Sequence, residues 1–170
     1  PGCYRLAGPP RRAAPSIPRT PVTTTPRDAG ELAFRILFSS IFIGLGGEHI
    51  FDDTLIQNLM PPWVPAPRLV SLASGLVLLS GGSMVALGVR LRLAAVVLGT
   101  FLVLVTALVH LPAVVGIQPP PDGTTEWAWV ILQRSNLVKN LCLLGVCVQL
   151  WWHPPGPLSL HAWLTRDRSA

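Results

Sequence analysis

Four long apolar runs, separated by short polar links, dominate the hydrophobic pattern of the chain. A helix needs about 20 apolar residues to cross the hydrocarbon core of a bilayer, which is about 30 Å thick. Because backbone groups in lipid must form their hydrogen bonds internally, each run is predicted to be a transmembrane helix. The four predicted spans cover approximately residues 32–51, 68–88, 92–116 and 127–152.

The first 29 residues follow a different pattern. They hold seven prolines, several arginines and no apolar periodicity. A segment of this composition cannot bury enough apolar surface to fold, and it lacks the apolar centre of a signal peptide. We therefore predict an all-α integral membrane protein, with a disordered tail over residues 1–29 and a four-helix transmembrane bundle over residues 30–165.

Composition supports a membrane protein and argues against a nucleic-acid-binding one. Hydrophobic residues make up 50% of the chain and charged residues only 12%, whereas soluble domains carry about 25% charged residues. The net charge is +5, but most of the arginines lie outside the apolar runs or at their ends, and they form no basic, aromatic-rich face. The predicted partner is the lipid bilayer, and no nucleic acid is expected. The three cysteines show no metal-binding spacing, so no metal site is predicted.

Charges in the links indicate how the bundle lies in the membrane. The N-terminal tail, the link "VRLR" and the C-terminal tail are basic. The links at 52–67 and 117–127 carry mainly acidic residues. Since cytoplasmic links are enriched in Lys and Arg, we predict a multi-pass protein of the cell membrane with both termini in the cytoplasm.

The fourth run contains cations and amides that a lipid-facing helix would avoid. Arg134 and Lys139 lie about 10 and 18 Å below Trp127, at 1.5 Å per residue. A cation at mid-membrane costs about 2.5–3.5 kcal/mol on insertion scales, so it usually lines a pathway, a site or a buried ion pair. Lys139 is therefore interpreted as a ligand-binding or proton-related residue, or else as half of a structural ion pair. Arg134 either joins Glu48 or extends to the headgroups.

Depth and rotation group several polar residues in the outer half of the bundle. At about 100° per residue, Gln133, Asn136, Lys139 and Asn140 share an arc of about 120°, and this face is predicted to line a polar cavity. No catalytic residue is assigned. The predicted ligand-binding residues are Glu48, His110, Gln133, Arg134, Asn136, Lys139 and Asn140.

The order of these features resembles the DoxX family of small four-helix membrane proteins. "FRILFSSIFIGLGGEHIF" is similar to the family's opening arginine and Gly-rich helix, and "MPPWVPAPRLVSLASGLVLLSGGSMVALGVRLRLAAVVLG" to its Pro-rich loop, small-residue helix and basic re-entry. "VHLPAVV" and "NLVKNLCLLG" match the usual His of the third helix and the Lys-bearing fourth helix, here His110 and Lys139. "GPLSLHAWL" resembles the C-terminal signature, with His161 where Asp is common. The resemblance covers residues 30–164.

Named members of that family include a membrane subunit of a thiosulfate:quinone oxidoreductase. The resemblance implies an accessory subunit of a membrane-associated, quinone-linked oxidoreductase complex, which is not catalytic alone and has a protein partner or further copies of itself. It implies a quinone as cofactor and no covalently bound group. Lys139, Asn136 and Asn140 would then bind the quinone headgroup, and His110 would relay protons.

Two other functions stay open. One is a non-enzymatic membrane assembly or scaffold subunit, in which the polar residues only fix the register of the helices. The other is a small-solute or proton transporter, although the chain shows no broken helix and no internal repeat, which are common in transporters.

Overall fold

This computed structural model describes residues 24–166, except for the side chains of Asp53, Leu55 and Arg166. All the regular secondary structure of these residues is helical. Residues 1–23 of the predicted disordered tail lie outside the described residues. The elements are α1 Pro26–Phe51, α2 Asp53–Leu59, α3 Pro67–Leu87, α4 Leu91–Val105, a π-helical turn Thr106–His110, α5 Leu111–Val114, α6 Glu126–Leu150 and α7 Leu160–Arg166.

The first long helix begins earlier than the predicted start near residue 32. Thr25 caps it: its hydroxyl accepts the N–H of Asp28, and the Asp28 carboxylate accepts the N–H of Thr25. Pro26 occupies the first helical position, where its missing N–H has no cost. These local signals start the helix within a polar segment that the hydrophobic pattern had assigned to the tail.

Three helices of the described chain are long and apolar enough to cross a membrane, namely Pro26–Phe51, Pro67–Leu87 and the continuous stretch Leu91–Val114. Their outward faces are apolar: Leu37, Leu69 and Leu76 are each more than 60% exposed. Apolar surface of this extent requires lipid or protein around it. Helix α6 is 25 residues long but is not among the three, because its cations and amides lower its mean hydropathy.

The helices pack in chain order, with α1 against α3, α3 against α4, and α4 against α6. The α1–α3 contact is the most extensive. At its centre, a Cβ atom on Gly46 would lie 3.0 Å from the carbonyl oxygen of Gly75, and one on Gly75 would lie 3.0 Å from that of Gly46. Gly46 thus allows the backbones of α1 and α3 to approach closely, whereas a Cβ on Gly44 or Gly47 would meet nothing within 4 Å.

The apolar core lies toward the end of the bundle where α4 begins. Its buried members come from α1, α3, α4 and α6: Phe38, Phe42, Leu78, Val85, Leu91, Ala94, Ala95, Leu98, Leu102, Cys147 and Leu150. Polar side chains of α4 and α6 meet beyond this core, so the two helices are joined by apolar packing at one end and by hydrogen bonds at the other.

A C-terminal segment, residues 153–159, folds back over the ends of α1 and α3. The ring of His153 contacts the ring of Phe34 at a centroid distance of 5.7 Å. Arg35, only 1% exposed, donates a hydrogen bond from Nη2 to the carbonyl oxygen of Leu158. A Cβ on Gly88, whose φ is +66°, would collide with this guanidinium. The segment thus connects the end of α6 with α1 and α3.

Candidate functional site

The interruption of α4 positions the candidate site. Pro112 has no N–H, and its ring disfavours a normal turn before it. The N–H of Leu111 accordingly bonds to the carbonyl of Thr106, five residues back, and residues 106–110 form a π-helical turn. Such turns occur frequently at functional sites. This one carries Thr106 and His110, and both side chains reach α6.

Two side-chain hydrogen bonds join the π-helical turn to α6. His110 Nδ1 lies 2.6 Å from Gln133 Oε1, and Asn140 Nδ2 donates to Thr106 Oγ1 at 3.2 Å. Gln133 and Asn140 are buried at 3% and 5% exposure. These four residues are called the polar cluster below. Their side chains satisfy one another in a region where an unbonded polar group would be costly.

The bond to Gln133 also determines the state of the histidine ring. An amide oxygen only accepts hydrogen bonds, so the hydrogen of the neutral ring is on Nδ1. Nε2 is then left as an acceptor. His110 is half-buried, and its free nitrogen can take a proton while Gln133 keeps the ring in place.

Lys139 and Asn136 lie beside the polar cluster on α6, the helix that carries Gln133 and Asn140. Lys139 Nζ donates to Asn136 Oδ1 at 2.9 Å, and both residues are half-buried. An ammonium group has three donors, so two remain after this bond. Lys139 also interacts electrostatically with Glu48 and His110, but it forms no ion pair with any carboxylate whose side chain the structure describes.

The structure does not bring all the predicted site residues together. His110, Gln133 and Asn140 meet, and Lys139 and Asn136 adjoin them. Glu48 is exposed near the C-terminal end of α1, and its carboxylate makes no hydrogen bond to the described residues. Arg134 is exposed as well, as expected for a cation that extends to the headgroups.

Two residues with a bearing on the site, and one buried cation at the opposite end of the bundle, were missing from the prediction. Thr106 pairs with Asn140, and its spacing of four from His110 could have indicated a shared face. Trp129 lies four residues before Gln133 on the inward face of α6; it is 1% exposed, and its indole N–H has no partner among the described residues. Arg35 had one signal, a cation inside an apolar run, but its partner is 123 residues away.

The residues near the polar cluster indicate which kind of ligand the site suits. No group of three or more His, Cys, Asp or Glu side chains that could hold a metal ion occurs within residues 24–166. The donors of the polar cluster are instead amides, a hydroxyl and an imidazole, and the ammonium group of Lys139 and the indole N–H of Trp129 lie beside it on α6. Such a set suits a neutral ligand with hydrogen-bond acceptors rather than a metal ion.

The fold and the cluster define a helical membrane protein with buried polar groups between two helices. The sequence model of the DoxX family matches residues 30–111. This confirms the resemblance over that range, and the chain is a DoxX family membrane protein. No curated protein and no solved structure matches the chain.

Proposed function

We propose that α6 is a fourth membrane span and that the chain is a multi-pass protein of the cell membrane with cytoplasmic termini. The amides that lower the hydropathy of α6 are turned toward α4, where Gln133 and Asn140 are buried. Its other faces carry Ile131, Val138 and Val148, each more than half exposed. This division of faces suits a span that contacts both lipid and neighbouring helices. The predicted domain then starts with α1 at Pro26, a few residues before the predicted start at residue 30, and extends to residue 165, with the tail preceding it.

The function that these residues support best is that of an accessory subunit of a quinone-linked oxidoreductase complex. The observation that carries this proposal is the set of donors around the polar cluster. Lys139 has two donors left and the indole N–H of Trp129 has no partner, although burying such a group unbonded costs about 1–3 kcal/mol. A carbonyl oxygen of a quinone is a suitable acceptor for either group. Because the two residues are ten positions, about 15 Å, apart along α6, one headgroup would bond to one of them and not to both.

The residues of this chain would bind and orient the quinone, while a partner protein supplies the electrons. Reduction to a hydroquinone takes two electrons and two protons. His110 Nε2 can receive or deliver a proton, since the bond from Nδ1 to Gln133 holds the ring in a single tautomer. No residue of the cluster carries electrons, so the subunit is proposed to work only within a complex.

A scaffold role is the second candidate, and one specific observation favours it. The bonds of the polar cluster join α6 directly to the π-helical turn that follows α4, and the apolar groove between α4 and α6 lies nearer the other end of these helices. Hydrogen bonds between membrane helices contribute about 0.6 kcal/mol on average. The same side chains would then serve only to set helix register.

The deciding experiment compares two cations of the same helix. Lys139→Met and Arg134→Met remove a positive charge from the half-buried and the exposed position, respectively. Quinone is quantified in lipid extracts of each purified protein, and thermal unfolding in detergent is measured in parallel. If Lys139 binds the quinone, Lys139→Met loses most of it, whereas Arg134→Met retains the amount found in the unmodified protein.

Stability separates the remaining outcomes. Lys139 forms no ion pair with a carboxylate of the described chain, so its replacement leaves no buried anion behind. The free energy of unfolding should stay equal or rise, because the insertion cost of about 2.5–3.5 kcal/mol is removed. A destabilised Lys139→Met variant with unchanged quinone content would reject the ligand role and favour the scaffold.

A further inference from the structure

A shallow apolar groove runs along the outside of the bundle between α4 and α6. The part nearest the start of α4 has a volume of about 380 Å³ and is lined by Ala95, Val96, Gly99, Val148, Trp151 and Trp152, among others. It continues along α4 past Thr100 to Val103 and Leu104. The absence of a side chain at Gly99 helps to form this groove, which none of the residues of the polar cluster line.

The length of the groove corresponds to one leaflet of a bilayer. Ala95 and Leu104 are nine residues apart, which is about 13 Å along a helix. Half of the hydrocarbon core measures about 15 Å. An extended acyl chain that enters at the Arg92 end would therefore lie in the groove over most of its leaflet.

Arg92 lies at the end of the groove near the start of α4, where a lipid would enter. Arg92 precedes Val96 by one turn and thus shares its face of α4. It is exposed and has no hydrogen-bond or ion-pair partner among residues 24–166. Helical side chains lean toward the N-terminus, so its guanidinium extends away from the groove and toward the membrane surface. Trp151 and Trp152, which suit the level of the headgroups, line the groove at this end.

The geometry points to a binding site for one anionic phospholipid, with an acyl chain in the groove between α4 and α6 and the phosphate on Arg92. The site depends on α6 spanning the membrane beside α4, but not on what the polar cluster binds. The charge at the entrance distinguishes this occupant from the tail of a quinone, which has no anionic group to pair with Arg92.

The test is lipid retention by the intact protein, measured by native mass spectrometry in detergent after titration with phosphatidylglycerol or phosphatidylcholine. One phosphatidylglycerol adduct is expected per chain, in preference to phosphatidylcholine. Arg92→Gln should weaken its retention about fivefold, the usual effect of one basic residue near an anionic surface. Val96→Trp fills the groove and should abolish retention. Arg134→Gln and Leu93→Trp are matched controls, an exposed cation and an exposed apolar residue outside the groove, and both should retain the lipid.

Several results would overturn the proposal. Equal retention of the two lipids would show that the groove has no headgroup preference. Phosphatidylglycerol binding that neither Arg92→Gln nor Val96→Trp changes would show that the lipid binds elsewhere. An adduct with the mass of a quinone that Val96→Trp removes would assign the groove to that ligand. A dimer that Val96→Trp dissociates would assign it to a second copy of the chain. Lys139→Met should keep the lipid even if it loses quinone, which separates this site from the polar cluster.

Discussion

Gly46 and Gly47 offer a direct test of how α1 and α3 pack. The two glycines are adjacent on α1, so alanine gains the same helix propensity at each, about 0.5–1 kcal/mol. A Cβ on Gly47 meets nothing within 4 Å. A Cβ on Gly46 would lie 2.9 Å from Leu79 Cγ and 3.0 Å from two backbone atoms of α3, the carbonyl oxygen of Gly75 and the nitrogen of Leu79. Backbone atoms cannot rotate away as a side chain can, so α3 would have to move.

The size of the effect follows from these contacts. Favourable contacts between carbon atoms lie at about 3.5–4.0 Å, so the contact of the new Cβ with Leu79 Cγ is too short by about half an ångström. The two contacts with backbone atoms are too short by a few tenths of an ångström. Overpacking of this kind typically costs about 1–3 kcal/mol. We therefore expect Gly47→Ala to be neutral or slightly stabilising, and Gly46→Ala to be less stable than Gly47→Ala by about 1–3 kcal/mol.

The free energy of unfolding of each variant is measured by titration with a denaturing detergent in mixed micelles. Gly75→Ala provides a second variant at the same crossing, where a Cβ would lie 2.8 Å from Ile50 Cγ1 and 3.0 Å from the Gly46 carbonyl oxygen. Its effect should be less than additive with that of Gly46→Ala, because a separation forced by one alanine makes room for the other. Equal stability of Gly46→Ala and Gly47→Ala would refute the close contact of α1 with α3.

Two further predictions concern the C-terminal segment and the topology. Arg35→Met should speed hydrogen exchange in residues 153–162, because the substitution removes a hydrogen bond from a charged donor to the carbonyl of Leu158, which contributes about 1.5–3 kcal/mol. The global free energy of unfolding should change less, because the substitution also removes two buried guanidinium nitrogens that lack partners, Nε and Nη1. Unchanged exchange would show that Arg35 does not hold the segment. With cytoplasmic termini, Thr125→Cys should react with an impermeant thiol reagent from outside the cell, whereas His161→Cys should react only after permeabilisation, and the reverse pattern would overturn the orientation.

Much of the helical organisation could be predicted from the sequence because its causes are local. The apolar runs predicted the long helices to within a few residues at most of their ends, and the order of short motifs indicated the family that the match at residues 30–111 confirms. The start of α1 was predicted too late, since its capping residues Thr25 and Asp28 lie outside the apolar run. Helix α6 lies where a fourth span was predicted, and its passage through the membrane stays a proposal.

Depth and rotation along separate helices indicated which polar residues share a level, and part of that prediction holds. His110 does meet Gln133. The prediction placed Glu48 in the same group on depth alone. Its carboxylate is near enough to interact electrostatically with Lys139, but it forms no hydrogen bond to the polar cluster, because α1 packs chiefly against α3. Contact between two helices depends on which faces are turned toward each other, and no single helix contains that information.

The tertiary structure alone decided the partners of the buried polar groups. Thr106 bonds to Asn140, 34 residues on, and Arg35 to the carbonyl of Leu158, 123 residues on. The sequence by itself determined that the chain forms apolar helices interrupted by a few costly polar side chains, because hydropathy and helix signals act over a few residues. Which of those side chains satisfy one another depends on helix order, rotation and the π-helical turn before Pro112. These arise only when the helices pack, since each buried polar group must then find a partner among whatever groups the packing places beside it.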